Sequence, residues 1–508
     1  MKMIKGLLVL VVASILISTG CGGAGVTSTG GTADFFQLAI VPDQTVTTST
    51  FEVQAIAELL NPSAGTLVSP SVIDGSGNSH VMSPKVLQWP GTTQDSITIW
   101  SATIPLVNDQ VNSIKVMSGT KKIDFSIRQK SSLSVLVASN STQLVSQIQA
   151  AIVDPTIDVI QVAYNEPDLG AAIHNAGNNF TNQRTTWLTI KPASGNTISW
   201  VQDSTAAVIA PRPFVNFLHL SNVTFGSDTS DGGRGTFYVE ANHHVWVSAS
   251  EFRGKYKYTW NKTTSMTVAA VDQVRGSTTE GQKIYFTDCL WDGTASTNAT
   301  FNAALARDLQ FNSHRGDINN FGKVVLNVYG QDIETILIPS GLDSLHNDGF
   351  QIWGNMATSD LIFKGMKIVS PHIPANIQPF LLDSTFTPDY SYVLIDSVTI
   401  EGAAAGTVLM AQMAGKLSNS RISNYSIPNQ NLAFRYDLLG TNSALNPTNV
   451  YLYNMNVKKV LYVAPAGSTN ITYDYQNVSN TFDISNSLRT NSGLSSISFS
   501  NIKVASGP

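Results

Sequence analysis

The densest run of chemically capable side chains in the chain is Asp343-Ser344-Leu345-His346-Asn347-Asp348-Gly349-Phe350-Gln351-Ile352-Trp353-Gly354. An imidazole changes charge near neutral pH, so His346 beside a carboxylate can serve as a general acid or base. Asp348 is a hard oxygen donor of the kind Ca²⁺ takes, which makes it the metal-ligand candidate. His346 and Asp348 are expected on the loop entering a strand that starts at Phe350; upstream, in an earlier loop, stand Asn312, His314, Arg315 and Asp317, and downstream Asp383, Gln412, Arg435 and Asp437. The planar guanidinium of Arg315 suits bidentate contact with a uronic-acid carboxylate, and Trp353 offers a flat face for stacking on a sugar ring. Gathered on one edge, His346, Asp348 and Arg315 would form the catalytic group. Gln351, Trp353, His314, Asp383 and Arg435 would hold a polymer beside them. A plainer reading stands next to this one: His346 and Asp348, flanking a turn at Gly349, satisfy backbone groups and do no chemistry.

Residues this far apart in sequence share an edge only if a repeating element brings them there. An eight-residue pattern, apolar at positions 1, 3, 6 and 8, recurs as Leu218/Leu220/Val223/Phe225, Leu361/Phe363/Met366/Ile368, Val393/Ile395/Val398/Ile400, Val450/Leu452/Met455/Val457 and Ile497/Phe499/Ile502/Val504. Two variants carry a small residue at position 6, Val245/Val247/Ser250/Phe252 and Ile284/Phe286/Cys289/Trp291. One strand would keep a period of two throughout. The three-residue step from position 3 to position 6 therefore predicts a corner that keeps the apolar face inward. Position 5 is Asn222, Ala249, Asp288, Gly365, Ser397, Asn454 or Asn501, and five of these seven are Asn, Asp or Gly, which enter the left-handed backbone region most readily. Cys289 falls at an inward position and reads as a small packing residue rather than a nucleophile.

Strand, corner and strand, repeated at irregular intervals, resembles the right-handed parallel β-helix of the pectate-lyase-like superfamily, over roughly residues 131–504. The string His346-Asn347-Asp348-Gly349-Phe350-Gln351 is similar to the His-x-Asp-Gly-x-Gln segment on a rung of many such proteins that act on polysaccharides. The resemblance implies a glycan-binding groove and, in a catalytic form, a polysaccharide lyase more readily than a glycoside hydrolase. In the lyase form His346 or Arg315 would stand near the base role, with Asp348 orienting or binding Ca²⁺. Asn-x-Asp, Asp-Asp and Gly-His-Gly of the polygalacturonase set are missing from the chain, as is the Asp-Pro-His segment of alginate-active epimerases. Two weaker clusters read as strand flank and solvated loop: His243-His244, and Arg253, Lys255 and Lys257 among aromatic residues.

Ahead of the repeat, Leu144, Val145, Ile148, Ala151 and Ile152 lie at helical spacing after Asn140, with Pro155 just beyond. This predicts the one amphipathic helix of the chain, placed to cap the open end of a solenoid. Residues 34–130 alternate in short runs such as Phe51-Glu52-Val53-Gln54-Ala55-Ile56, with turn clusters between them, a pattern similar to an immunoglobulin-like β-sandwich. Residues 21–33 read as a flexible tether. Residues 1–20 read as an export signal, with Lys2 and Lys5 ahead of the apolar run Gly6 to Ile17, which is too short to span a membrane as a helix. Gly20-Cys21 resembles the lipobox of bacterial lipoproteins, although Ser18 stands where the family prefers Leu. The resemblance implies lipidation of Cys21 and a place at the outer membrane or cell surface.

The fold expectation is thus all-β: an immunoglobulin-like sandwich (34–130), then a right-handed parallel β-helix (131–508) with a capping helix. Charged residues make up 13% of the 508, and 30 Lys+Arg stand against 35 Asp+Glu, so no basic surface for nucleic acid is expected. With Cys21 lipidated, Cys289 is left without a disulfide partner. The functional expectation is an exported, lipid-anchored monomer that binds, and in its catalytic form cleaves, an acidic extracellular polysaccharide. The alternative is a non-catalytic adhesin or glycan-binding scaffold with the sandwich as a spacer.

Overall fold

A computed structural model of the chain describes residues 31–61, 65–88, 96–176, 184–200, 216–225, 244–253, 282–287, 290–292, 309–312, 316–321, 324–327, 347–353, 361–373, 377–383, 393–403, 420–435, 450–463, 473–475 and 502–504. The fold is all-β, with two helices among the described residues.

Residues 31–130 form two sheets. Phe35–Leu38, Thr50–Glu58, Ser96–Pro105 and Ser83–Gln88 pair antiparallel in that order. The second sheet orders Thr45–Val46, Lys121–Gln129, Val111–Ser118, Ser71–Ile73 and Ser79–Val81. Alternation decides which face is buried: along Val111–Ser118, Asn112, Ile114, Val116 and Ser118 point inward and the residues between them face out. Both sheets contribute to one apolar cluster, with Val53 and Ala55 from the first and Val72, Ile114 and Ile127 from the second. Pro84 and Lys85 lie on the edge strand Ser83–Gln88, where a missing donor and a charge discourage pairing with another sheet.

From residue 135 the pairing becomes parallel. Val135–Ala138, Val159–Val162, Leu188–Pro192, Leu218–Ser221, Val245–Ser248, Gln282–Thr287, Gly316–Phe321 and Leu361–Ile373 join in sequence order into one ladder. A second ladder runs through Ile198–Trp200, Val223–Phe225, Glu251–Arg253, Leu290–Asp292, Val324–Asn327 and the later half of Leu361–Ile373. Val393–Ala403, Ser420–Arg435 and Val450–Val463 continue the stack. Equivalent positions of the eight-residue pattern pair with one another: Leu218 with Val245 and Val245 with Ile284, then Phe363 with Ile395 and Met366 with Val398. Between the ladders the chain turns through the left-handed region at Asn222 (φ 57°), Ala249 (φ 48°) and Ser397 (φ 56°). The corner amides are not wasted. Asn222 N–H donates to Ser248 O and Ala249 N–H to Thr287 O, each at 3.0 Å, on the next strand of the stack. One rung escaped the apolar pattern: Ser420, Ile422, Tyr425 and Ile427 occupy the same register, with Ser at position 1 and Asn424 at the corner position.

Helix α1 (Ser141–Val153) buries Leu144, Ile148, Ala151 and Ile152, and the Asn140 side chain caps it by accepting from Gln143 N at 2.9 Å. It also covers the open edge of the first ladder, since Gln147 Nε2 donates to Val137 O at 2.8 Å. The helix C-terminus is closed by a buried guanidinium: Arg184 Nη1 donates to Ala151 O (2.6 Å) and Asp154 O (3.0 Å), and Nη2 to Ile157 O (2.7 Å). A second helix, α2 (Leu169–Asn175), was not expected; at seven residues it is too short to display a period.

The N-terminal sheets lie against the parallel stack. Phe35, Val41, Ile56 and Ile99 share a buried cluster with Trp187, Tyr285 and Leu394. Trp187 Nε1 donates to Pro42 O at 2.6 Å within this interface. The Glu58 carboxylate accepts from both Lys364 and Arg421, and Lys364 also reaches Asp396 at 2.5 Å. This segment packs along the repeats because its outer apolar face and the outward column of the stack bury each other.

Candidate functional site

Five of the residues singled out for glycan chemistry, Asn312, Asp348, Gln351, Trp353 and Asp383, fall on a third parallel ladder, made of Leu309–Asn312, Asn347–Trp353 and Ile377–Asp383. Asn312 pairs with Trp353 and Trp353 with Asp383; one position pair earlier, Gln310 pairs with Gln351 and Gln351 with Leu381. Adjacent strands lie about 4.8 Å apart, so Asn312, Trp353 and Asp383 form a row about 10 Å long across three strands. The register thus brings an amide, an indole and a carboxylate residue to one position on three successive strands.

The register divides the expected set. Asp348 belongs to the strand Asn347–Trp353, rather than to a loop ahead of it, and pairs with Gln378. Five residues of strand at about 3.3 Å each put it about 16 Å from Trp353 along the chain, so Asp348 and Asp383 stand at opposite ends of their strands. Asp317, also read as a loop residue, lies in the strand Gly316–Phe321. Arg435 ends the strand Ser420–Arg435 and pairs with Val463, on a ladder separate from that of Trp353. His346, His314, Arg315, Gln412, Asp437, Cys21 and Cys289 lie outside the described residues. Among the described residues, no group of three His, Cys, Asp or Glu is placed to hold a metal ion.

A different histidine has well-defined surroundings. His219 lies 3.0 Å (Nδ1) from Thr189 Oγ1 and 2.7 Å (Nε2) from Ser248 Oγ, and its ring stacks on Trp246 with centroids 3.5 Å apart. Thr189, His219, Trp246 and Tyr285 are register partners on successive strands of the first ladder, and Trp187 meets Trp246 and Tyr285 edge-on. Burial, with Lys191 adding to it, pushes the His219 pKa down to about 3. The ring is therefore neutral at physiological pH and serves as a packed hydrogen-bonding element, not as an acid or base. Sequence reasoning passed over it, although Leu218-His219-Leu220 sets an imidazole between two core positions. A second pair closes the hairpin tip near residue 77: His80 Nε2 lies 2.8 Å from Asp74 Oδ2, and Asp74 also accepts from Ser76 and Asn78. The hydrogen bond to His80, aided by those to Asn78 and Ser76, holds the Asp74 pKa down at about 2. Near the start of the stack, Tyr164 donates to Glu166, and burial together with that carboxylate raises the phenol pKa. All of these groups are engaged in holding turns and interfaces.

The third ladder is thus the only described place where residues singled out for glycan chemistry share a register. No protein-family model, no curated protein and no solved structure matches the chain.

Proposed function

We propose that this protein is an exported, lipid-anchored right-handed parallel β-helix preceded by an immunoglobulin-like sandwich, and that it binds an extracellular polysaccharide along its third ladder. The parallel ladders, with left-handed corners between successive strands, support the β-helix reading. Its right hand follows from the general handedness of crossovers between parallel strands. The lipobox-like Gly20-Cys21 supports the anchor and, with it, an outer-membrane or cell-surface location. The observation that carries the binding function is the in-register row Asn312, Trp353 and Asp383, beside the pair Gln310 and Gln351. A glycan lying across the strands would meet a stacking surface and hydrogen-bonding groups at each step.

The test is affinity electrophoresis of the purified protein against neutral and acidic glycans. Wild type is expected to be retarded by at least one of them. Trp353→Ala should weaken that retardation by about tenfold or more, the loss expected when a central aromatic anchor is removed. Retardation unchanged in Trp353→Ala, or absent with every glycan, rejects the strip.

The cleaving version is a second reading, supported by the His346-Asn347-Asp348-Gly349-Phe350-Gln351 string. It places proton abstraction at the Asp348 end, with His346 and Arg315 as its other members and Ca²⁺ as its metal. Release of unsaturated ends from a uronan, lost in His346→Ala, would establish it. Binding without such products favours the scaffold.

A further inference from the structure

The contacts between residues 31–130 and the parallel stack reach from one end of the described repeats nearly to the other. At the early end, Trp187, which directly precedes the strand Leu188–Pro192, donates to Pro42 O. In the middle, Tyr285 and Leu394 share the buried cluster with Phe35 and Ile99. At the late end, Arg421 Nη1 donates to Leu59 O at 2.6 Å and its other terminal nitrogen meets Glu58. Eight successive strands lie between these limits: Leu188–Pro192, Leu218–Ser221, Val245–Ser248, Gln282–Thr287, Gly316–Phe321, Leu361–Ile373, Val393–Ala403 and Ser420–Arg435. Seven spacings of about 4.8 Å make that span about 34 Å.

In a solenoid each repeat is coupled only to its neighbours, so the stack can fray rung by rung from its ends. A rigid body fastened to rungs far apart removes that freedom. We propose that residues 31–130 act as a lateral splint that makes these eight strands open as one unit. Glu58 is its late fastening. Its carboxylate grips Lys364 and Arg421, which lie on strands separated by Val393–Ala403, and that intervening strand supplies Asp396 to complete the quartet. Lys364, Asp396 and Arg421 are buried, with side chains 5%, 2% and 8% exposed. Two acids face two bases, so the cluster is neutral as a whole, and removing one member leaves an uncompensated charge. The splint is independent of the glycan-binding reading, since it lies on the first ladder and not on the third.

Hydrogen exchange of the full chain, read by mass spectrometry, tests this. In wild type the eight strands should exchange in a single slow class. Glu58→Gln keeps the shape of the side chain and removes its charge. It should speed exchange in Leu361–Ile373, Val393–Ala403 and Ser420–Arg435 by roughly a hundredfold, the order expected on breaking a buried pair. Leu188–Pro192, still held through Trp187, should stay slow. Lys85→Gln, which breaks the half-exposed Lys85–Glu52 pair on the same segment, serves as control and should leave every strand unchanged. Rates graded rung by rung in wild type, or a Glu58→Gln pattern the same as that of Lys85→Gln, would overturn the splint.

Discussion

At the scale of single residues, burial rather than catalysis explains the unusual side chains with described surroundings. His219 shows this through its pH dependence. Its pKa in the folded chain is about 3 against an ordinary 6.5, so between those values the unfolded chain binds the extra proton. Its contribution to stability is complete above about pH 6.5 and falls as the pH drops toward 3, by at most about 1.4 kcal/mol per pH unit. Asp74 adds a second loss lower down, as the pH falls from 3.8 through about 2. Urea unfolding at pH 7 and pH 5 should show a marked loss for wild type and a much smaller one for His219→Gln. Arg184 is the complementary case. Burial lowers its pKa to about 10, partly offset by Asp158 and Asp154, so it remains charged at neutral pH and holds the carbonyls at the end of α1. Arg184→Met keeps the volume but strands those carbonyls, and should cost about 2–4 kcal/mol in denaturant unfolding. Neither role was legible beforehand, because alternation with Leu218 and Leu220 points His219 away from their face and nothing local marks Arg184 as buried. What surrounds His219 is Thr189, Trp246 and Ser248, about 30 positions away on neighbouring strands of the stack.

At the scale of elements, legibility followed local backbone demands. The corner positions could be read because a left-handed residue restricts the choice of side chain, and Asn222 obeys that restriction. Ala249 does not: it holds φ 48° without the side-chain hydrogen bonding that helps Asn there. Ala249→Gly should therefore stabilise the protein by up to about 1 kcal/mol, seen as a raised melting temperature, whereas Asn222→Ala should lower it. Helix α1 could be read for a similar reason, since Asn140 and the apolar spacing are both local signals. The rung beginning at Ser420 was missed because one polar residue at position 1 hides a pattern defined by apolarity. Asp348 was placed on a loop because the Gly349 beside it suggests a turn, yet parallel pairing with Ile377–Asp383 extends the strand through it. The candidate site was thus half legible. Its residue types were visible, but the register that joins Trp353 to Asp383 and separates both from Asp348 belongs to pairing between distant strands.

At the scale of the whole molecule, the low charge content has a structural explanation. Besides the apolar interior of the repeats, a face of the parallel stack is covered by residues 31–130, and the charges that remain there are matched inside the quartet of Glu58, Lys364, Asp396 and Arg421. Such charges look ordinary in the sequence, since 306 and 363 residues separate Glu58 from Lys364 and Arg421. Those separations also set a schedule. Residues 31–130 leave the ribosome before the strands they pack on, and their apolar outer face has no complete partner until residue 421 has followed. At about 5–20 residues per second, that wait is on the order of half a minute. During this interval the face must be shielded by something other than the finished protein, so biosynthesis, rather than the equilibrium stability of the fold, is where this chain is most exposed to aggregation.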